Sequence, residues 1–318
     1  MMNNSLYSTI CVVIPTFNRK NILGKCLEAY FQQIYPLDKI EITIVDDGSS
    51  DGTELLIQEI KKESPIEIIY YKQKNLGVAK ARNRGIKNSK NKIILLSDDD
   101  ILPTPNLIFE HMKWHNLHPA EEEAILGYIT WPPEVEIDDF RFWCENGGLT
   151  NYPLIENKSQ VDSYFFASGN ISLKNIFLKE NLFDEDFYFG YEDYELGHRL
   201  SKKGSKIFYN KAALGYHLKE KFNFSVMEKR AEITGQGARL LHLKWPELKK
   251  TVKTRNLWLL KVTKLISTLL YPLAKIFRWK RIIYHYKYGN RISHIFSKSY
   301  KQLKPKTFQI SNLLEKQI

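Results

Sequence analysis

The chain has 318 residues, 43% hydrophobic and 26% charged, which excludes a wholly disordered or collagen-like polymer and allows one large domain or a domain with an appendage. Its net charge of +11 is unevenly placed: residues 219–318 hold 23 Lys and Arg against 5 Asp and Glu, whereas residues 1–218 hold 24 against 31. An acidic globular part is thus joined to a strongly basic tail. Three cysteines, Cys11, Cys26 and Cys144, are too few for a disulfide framework and suit a reducing compartment. With no CxxC and no HExxH, a structural zinc site or a zincin is not expected. No signal-peptide pattern opens the sequence, since the apolar run Ile10–Ile14 is short and meets Pro15. The charge-free apolar stretch Leu265–Ala274 falls well short of the roughly 20 residues that cross a bilayer.

Strand and helix signals alternate along the first hundred residues. Thr9–Ile14 is a continuous apolar run, as in a strand buried on both faces of a parallel sheet. Residues 19–33 place Ile22, Leu23, Cys26, Leu27, Tyr30 and Phe31 on one helical face. Ile40–Val45 reads as a second strand and stops at the turn residues Asp46-Asp47-Gly48-Ser49. A helix follows from Thr53, then a strand over Ile66–Tyr71, a helix over Val78–Ile86, and a strand over Lys92–Leu96 that ends in Ser97-Asp98-Asp99-Asp100. This order predicts a parallel sheet with right-handed crossovers. Farther on, Phe165–Asn170 reads as a strand opening into a small-residue turn. Glu192-Asp193 begins a helix carrying Leu196 and Leu200 and stopping at Gly204. Lys206–Tyr209 and Ala212–His217 read as strands.

Functional groups in such sheets lie beyond the carboxyl ends of the strands. Polar clusters stand at three of those ends: Pro15-Thr16-Phe17-Asn18-Arg19, Asp46-Asp47 and Asp98–Asp100. Turn residues also belong there, so a single cluster is ambiguous between punctuation and site. Three successive carboxylates are different, because the third adds only repulsion unless a cation sits among them.

Taken together, VVIPTFNR at 12–19, IVDDGSSDGT at 44–53, QKNLGVAKARNRGI at 73–86, LLSDDDILPTPNLI at 95–108 and FGYEDYELGHRL at 189–200 resemble the motif series of glycosyltransferase family 2, in order and spacing. The resemblance covers about residues 8–217. It implies an α/β chain of GT-A fold, with a Rossmann-like, mostly parallel sheet flanked by helices. It also implies a nucleotide-diphospho-sugar donor, a divalent metal (Mn²⁺ or Mg²⁺) and inversion at the anomeric carbon. Breaking a sugar–diphosphate bond leaves extra negative charge on the diphosphate, which such a hard cation stabilises.

Carried over residue by residue, the resemblance gives Asp98 and Asp100 to the metal, with Asp99 able to take either role and Asp98 alternatively meeting ribose or closing a turn. Asp46 and Asp47 match the position that bonds the nucleotide base, a carboxylate being able to accept the uracil imide N–H, which favours UDP; an Asx turn to Gly48 is the other reading. Pro15 and Thr16 line the same cleft through the backbone, while Asn18-Arg19 start the following helix. Asn75, Gly77, Ala81, Arg82 and Asn83 match a further run, in which Arg82 contacts donor oxygens or pairs with the aspartates. Glu192-Asp193 match the Glu-Asp pair: Asp193 as general base, Glu192 positioning acceptor or base, against the plain reading of helix N-terminal acids. His217 matches a third metal ligand or is a packed histidine. Ser168-Gly169-Asn170 lie beside donor sugar or form an ordinary turn.

The QxxRW that processive synthases of the family carry after the Glu-Asp pair is missing here, so the resemblance implies single sugar transfer rather than processive synthesis. Between Leu248 and Leu314 there is no Asp or Glu but sixteen Lys and Arg. Leu259, Val262, Ile266, Leu269, Leu270, Leu273, Ile276 and Phe277 form a helical stripe, with Lys261, Lys264 and Lys275 away from it and Trp258, Tyr271 and Trp279 at its edges. That pattern fits a helix, kinked at Pro272, lying in an anionic membrane interface, or a helix packed on the catalytic domain. Bases and rings also mingle over Arg278–Arg281 and Tyr284–Tyr288, but no nucleic-acid-binding signature accompanies them and no nucleic acid is expected. The expectation is a catalytic domain over 1–222 and a basic helical extension over 223–318. It would be a cytoplasmic enzyme at the inner face of the membrane, moving one sugar to a hydroxyl of a carbohydrate or lipid-linked acceptor in surface polysaccharide or glycan synthesis. Transfer directly to a polyprenyl phosphate, and a non-catalytic sugar-nucleotide-binding module, are the alternatives.

Overall fold

The computed structural model describes residues 8–145, 152–218, 223–250, 257–277, 282–283 and 285–302. Two compact units result, one from Met1–Glu134, Ile155–Glu185 and Glu192–Lys219, the other from Val135–Leu154, Asp186–Tyr191 and Glu220–Ile318. The second unit therefore takes two short stretches of the chain from before residue 222.

The first unit opens with β1 (Ile10–Thr16), α1 (Lys20–Tyr30), β2 (Ile40–Asp46), α2 (Thr53–Glu63), β3 (Glu67–Lys72), α3 (Val78–Asn88) and β4 (Ile93–Ser97), within a residue or two of the expected bounds at most strands. Their strands pair in parallel in the order β3-β2-β1-β4, and the apolar runs of β1 and β4 are wholly buried, as a sheet covered on both faces requires. Gly85 lets α3 lie close on β1: a Cβ there would stand 2.4 Å from Val13 Cγ1. That contact fixes the height of the helix carrying Arg82.

Beyond β4 come β5 (Ile101–Pro103), α4 (Leu107–Leu117) and β6 (Glu123–Thr130); α5 (Asp139–Trp143) lies in the second unit. The first unit resumes with β7 (Gln160–Val161), β8 (Asn170–Lys174), α6 (Asn175–Lys179), α7 (Glu192–Ser201) and β9 (Lys206–His217). Here the sheet is mixed. β8 runs antiparallel to β4 and β6, β9 runs parallel to β6, and β5 and β7 run antiparallel to β9. The expected strand at Phe165 is not one. Asp162 accepts a hydrogen bond from Tyr164 N at 2.8 Å and caps a 3-10 turn over Ser163–Phe165, so the strand begins only at Asn170. A local side-chain bond has overridden the β preference of two phenylalanines. Conversely, the two short strands expected over 206–217 are one strand, whose pairing with β6 shifts register between Gly127 and Tyr128.

Behind this half of the sheet, α4 carries a buried polar network. His111 meets Ser172 Oγ through Nδ1 and Asn170 Oδ1 through Nε2, each at 2.8 Å, and His115 Nε2 meets the same Ser172 Oγ at 2.8 Å. Asn170 in turn donates to the carbonyls of Tyr128 and Ala213. Burial depresses both imidazoles, His111 to about 4.

In the second unit, α8 (Phe224–Lys244) is capped by Asn223, which accepts from Val226 N at 3.1 Å, and His242 Nδ1 meets Tyr300 Oη at 2.9 Å on α10 (Asn290–Gln302). Between them lies α9 (Leu257–Ile276), continuous through Pro272. Its packed side is Ser267 and Ala274, with Leu270 and Tyr271 half-buried. Its open side is apolar: Leu265, Ile266, Leu269, Leu273, Ile276 and, just past its end, Phe277, with Leu269 68% exposed. The exposed face is thus turned from the expected stripe, gaining Leu265 and losing Leu270. The side chains of Leu259, Val262, Lys261 and Trp258, and residues Arg278, Trp279, Lys280, Arg281 and Tyr284, lie outside the description. No described helix is long and apolar enough to cross a membrane.

The imidazole network makes an acid-sensitivity prediction. The unfolded chain protonates these histidines below their ordinary value near 6.5, whereas the folded chain keeps them neutral down to about 4 for His111. Their stabilisation is complete above pH 6.5 and is lost as pH falls toward 4. In thermal unfolding, the stability advantage of wild type over His111→Gln should shrink from pH 7 to pH 5, by at most about 1.4 kcal/mol per pH unit. A constant advantage would mean that His111 is not held neutral.

Candidate active site

Strand pairing, rather than sequence proximity, assembles the site. β1, β2 and β4 end side by side, which brings Thr16, Asp46 and Ser97 with their loops to one edge. Pairing of β4 with β8 sets Ser97 opposite Asn170, so the Ser168-Gly169 turn stands beside Asp98. Pairing of β5 with β9 sets Ile101 opposite His217, and Leu218 N donates to Asp100 O at 2.7 Å.

The three acids after β4 differ in their surroundings. Asp98 is the most open, its side chain 37% exposed, and Arg82 Nη2 reaches its Oδ1 at 2.8 Å. Asp99 is buried and turned inward, accepting from Thr16 Oγ1 at 2.7 Å and Arg19 Nη1 at 2.5 Å. Burial raises the Asp99 carboxyl well above the ordinary carboxylate range, against the lowering effect of Arg19. Asp100 Oδ2 accepts from Arg19 Nη2 at 2.9 Å and lies 3.4 Å from His217 Nε2. The His217 ring stacks at 5.8 Å on Trp131.

Among the described residues no three His, Cys, Asp or Glu side chains form a ready-made metal cage. The donor set nonetheless fits a hard divalent cation of the kind that keeps water and shares itself with a substrate diphosphate, because such an ion needs only one or two protein carboxylates. Asp100 and His217 stand side by side, a carboxylate against an imidazole, and Asp98 is the most open acid of the same loop.

A second cluster is joined to the first by one guanidinium. Arg82, on α3, is 4% exposed; Nη2 holds Asp98 and Nη1 holds Glu192 Oε1 at 3.1 Å. Its carbon face lies 5.5 Å from the Phe183 ring centre. Asn83 beside it clamps the Phe183–Glu185 segment, accepting from Phe183 N and donating to Phe183 O and Glu185 Oε1. Asp193 Oδ2 accepts from Ser168 N at 3.0 Å, while Asp193 Oδ1, Glu192 Oε2 and Ser168 Oγ are buried without a hydrogen-bond partner. Burial and the Glu192 charge raise Asp193 to about 7, with Arg82 and Ser168 opposing. A buried carboxylate poised near neutrality with an oxygen left over can take a proton from a bound hydroxyl.

The Asp46-Asp47 turn supports the site from beside it. Asp46 is fully buried: Oδ1 accepts from Gly48 N and Ser49 N, and Oδ2 from Tyr70 Oη at 2.5 Å. Asp47 accepts from Gln73 Nε2, Leu76 N and Gly77 N, which pins the loop before α3. Gly77, at φ 94°, then opens the helix as a turn with left-handed φ. Pro15 is buried at the end of β1, and Asp47 N donates to Thr16 O.

Arg19 is the residue whose part the sequence reading missed. It does precede α1, as expected, but its guanidinium spans Asp99 and Asp100. The available signal was charge: a lone arginine in one strand-end cluster, with three acids in another at the neighbouring strand.

With the geometry in place, the comparisons agree with it. The model of glycosyl transferase family 2 matches residues 11–121. A Methanococcus voltae protein named dolichyl N-acetyl-alpha-D-glucosaminyl phosphate 3-beta-D-2,3-diacetamido-2,3-dideoxy-beta-D-glucuronosyltransferase is 30% identical over 209 residues, covering 63% of this chain and 64% of that protein. The mannosyltransferase PcManGT of Pyrobaculum calidifontis, solved with GDP-Man and Mn²⁺, superposes with a TM-score of 0.65 at 18% identity, covering 98% of this chain and 89% of that one. S. aureus TarS, solved with UDP-GlcNAc, gives 0.54 at 15% identity, covering 92% of each chain. The chain is therefore similar to glycosyl transferase family 2 over residues 11–121, and it has the GT-A fold. It spans less than two thirds of the length of the curated relatives it matches.

Arg82 supplies the test of this arrangement. Arg82→Met would leave Asp98, Glu192 and Asp193 without their shared cation, and urea unfolding should show a loss of about 3–5 kcal/mol, the scale for breaking a buried ion pair on one side. Arg82→Lys, which keeps charge but not the fork, should lose less. A Met variant as stable as wild type would show that the three acids do not depend on Arg82.

Proposed function

We propose that this chain transfers a single sugar, with inversion, from a nucleotide-diphosphate sugar to a hydroxyl of a carbohydrate or lipid-linked acceptor, assisted by Mn²⁺ or Mg²⁺, in surface polysaccharide or glycan synthesis. The observation that carries this reading is the Asp193 carboxylate, poised near neutral with Oδ1 unpartnered, next to the Glu192 that Arg82 ties to Asp98. Asp98, Asp100 and His217 would hold the cation, which when bound stabilises charge on the departing nucleoside diphosphate. Asp193 Oδ1 takes the proton of the attacking hydroxyl. The Ser168 amide steadies that carboxylate before the transfer, while Arg82 Nη1 holds Glu192 Oε1 and leaves Glu192 Oε2 to orient the acceptor.

For the donor, Asp47 uses three of its roughly four acceptor positions internally, leaving one for the imide N–H of a uracil. UDP is therefore the preferred nucleotide, although neighbours of this fold are solved with both GDP- and UDP-sugars. A lipid-linked acceptor agrees with the name of the M. voltae relative, which specifies a dolichyl-linked substrate.

Asp193→Asn should bind UDP with normal affinity yet transfer sugar roughly 10² to 10⁴ times more slowly. In wild type, transfer should fall as pH drops below about 7, because the base works only when ionised and its folded value lies there. Near wild-type turnover in the Asn variant would overturn the assignment and move attention to Glu192.

The same reading makes the protein peripheral to the inner face of the cell membrane. Its support is the apolar open side of α9, flanked by Lys264 and Lys275, in a run without acids. Such a face inserts shallowly while the cations meet anionic headgroups, each adding about 1 kcal/mol. The full chain should sediment with phosphatidylserine-containing vesicles at low salt and dissociate as salt rises, and the double variant Leu269→Glu, Leu273→Glu should stay in solution. Equal binding to neutral vesicles, or binding undisturbed in the variant, would remove α9 from the interface.

A further inference from the structure

We infer that Arg19 is the resident counter-ion of the acid cluster and competes with the divalent cation for Asp100, which keeps cation affinity low until the nucleotide arrives. This inference rests on the divalent-cation reading above and goes beyond it in naming the group that sets the affinity.

Arg19 is aimed from both sides. Asn18, at φ 52°, donates its N–H to Ser49 Oγ and accepts through Oδ1 from Ser50 N, and Lys20 N donates to Asp51 Oδ2. The turn after β2 therefore fixes the backbone on either side of the arginine. Its guanidinium then forks between two carboxylates, Nη1 on Asp99 and Nη2 on Asp100. The two contacts are unequal. Asp99 keeps a second anchor in Thr16 and is buried without regard to any ion. At Asp100 the Oδ2 that Arg19 holds is the same oxygen that stands 3.4 Å from His217. A divalent ion shared by Asp100 and His217 needs that oxygen, and a positive guanidinium already donating to it repels the ion as well as occupying the lone pair. Arg19 must leave Asp100 for the ion to be held.

The burial of the two arginines separates their roles. Arg82 is 4% exposed and locked, whereas the Arg19 side chain is 37% exposed and has solvent to withdraw into. Once withdrawn, a planar fork at the rim is suited to diphosphate oxygens. Cation and nucleoside diphosphate then favour each other's binding, because each draws on the same release of Arg19 from Asp100.

The experiment is Mn²⁺ titration of the full chain by electron paramagnetic resonance, without nucleotide and then with UDP or GDP, for wild type, Arg19→Lys and Arg19→Gln. Without nucleotide, Arg19→Gln should bind Mn²⁺ about tenfold more tightly than wild type, with Arg19→Lys between them, and added nucleotide should tighten binding less in the Gln variant. In EDTA, Arg19→Gln should melt below wild type, since Asp99 and Asp100 then repel, and Mn²⁺ should raise its Tm by more. If Arg19→Gln does not fold, Arg19→Lys alone decides: Mn²⁺ affinity above wild type supports the inference, and affinity at or below wild type overturns it. Wild type binding Mn²⁺ more tightly than both variants would mean that Arg19 positions Asp100 for the ion, which overturns competition while leaving the cation reading intact. No Mn²⁺ binding by any of the three, with or without nucleotide, would overturn both.

Discussion

The buried guanidinium of Arg82 is the constraint on which the rest of this site depends. It brings together carboxylates from two distant parts of the chain, Asp98 after β4 and Glu192 at the start of α7. Without a cation between them, two acid clusters would have to be packed in a low-dielectric interior, where their repulsion and desolvation are severe. With it, one cluster opens to solvent at Asp98 and the other stays dry around Asp193. Asp193 remains elevated even so, because burial and Glu192 outweigh the help from Arg82. For the base role proposed for Asp193, that imbalance matters, because a fully compensated carboxylate would be a weaker base.

Several features exist to hold Arg82 at the right height. The absence of a side chain at Gly85 lets α3 settle on Val13 of β1. Asp47 ties down the loop leading into the helix through the amides of Leu76 and Gly77. Asn83 fastens the other side to the Phe183–Glu185 segment, which leads toward α7. Asp47 thus serves the site as loop architecture, whatever it offers a nucleotide. Asp46 is committed to its turn and to Tyr70, so the two acids of one motif divide between closing a bend and anchoring a loop.

The second unit presents the opposite situation. Among its described side chains, α9 buries Ser267 and Ala274 and leaves Leu265, Ile266, Leu269, Leu273 and Ile276 to solvent, an apolar face without a packing partner among the described residues. The tail that carries this face is rich in Lys and Arg and empty of acids over a long run, which is the composition behind the membrane proposal.

How much was legible in the sequence follows from the range of the interactions. The apolar runs of β1, β2 and β4, the periodic faces of the intervening helices and the turn residues between them are local signals, and they placed the parallel half of the sheet and its loop acids from sequence alone. The mixed half was harder, because an Asx cap at Asp162 replaced a strand at Phe165, and a bulged twelve-residue strand was read as two pieces. What only the tertiary structure decided is which acid faces what. Three consecutive aspartates are equivalent in sequence. They become one open, one inward and one beside a histidine, because β1 and the loop after it supply Thr16 and Arg19 on one side and the β5–β9 register supplies His217 on the other. Partners 80 or more residues apart, such as Arg19 and Asp99 or Arg82 and Glu192, are selected by strand order and helix height, and a linear pattern carries no record of either.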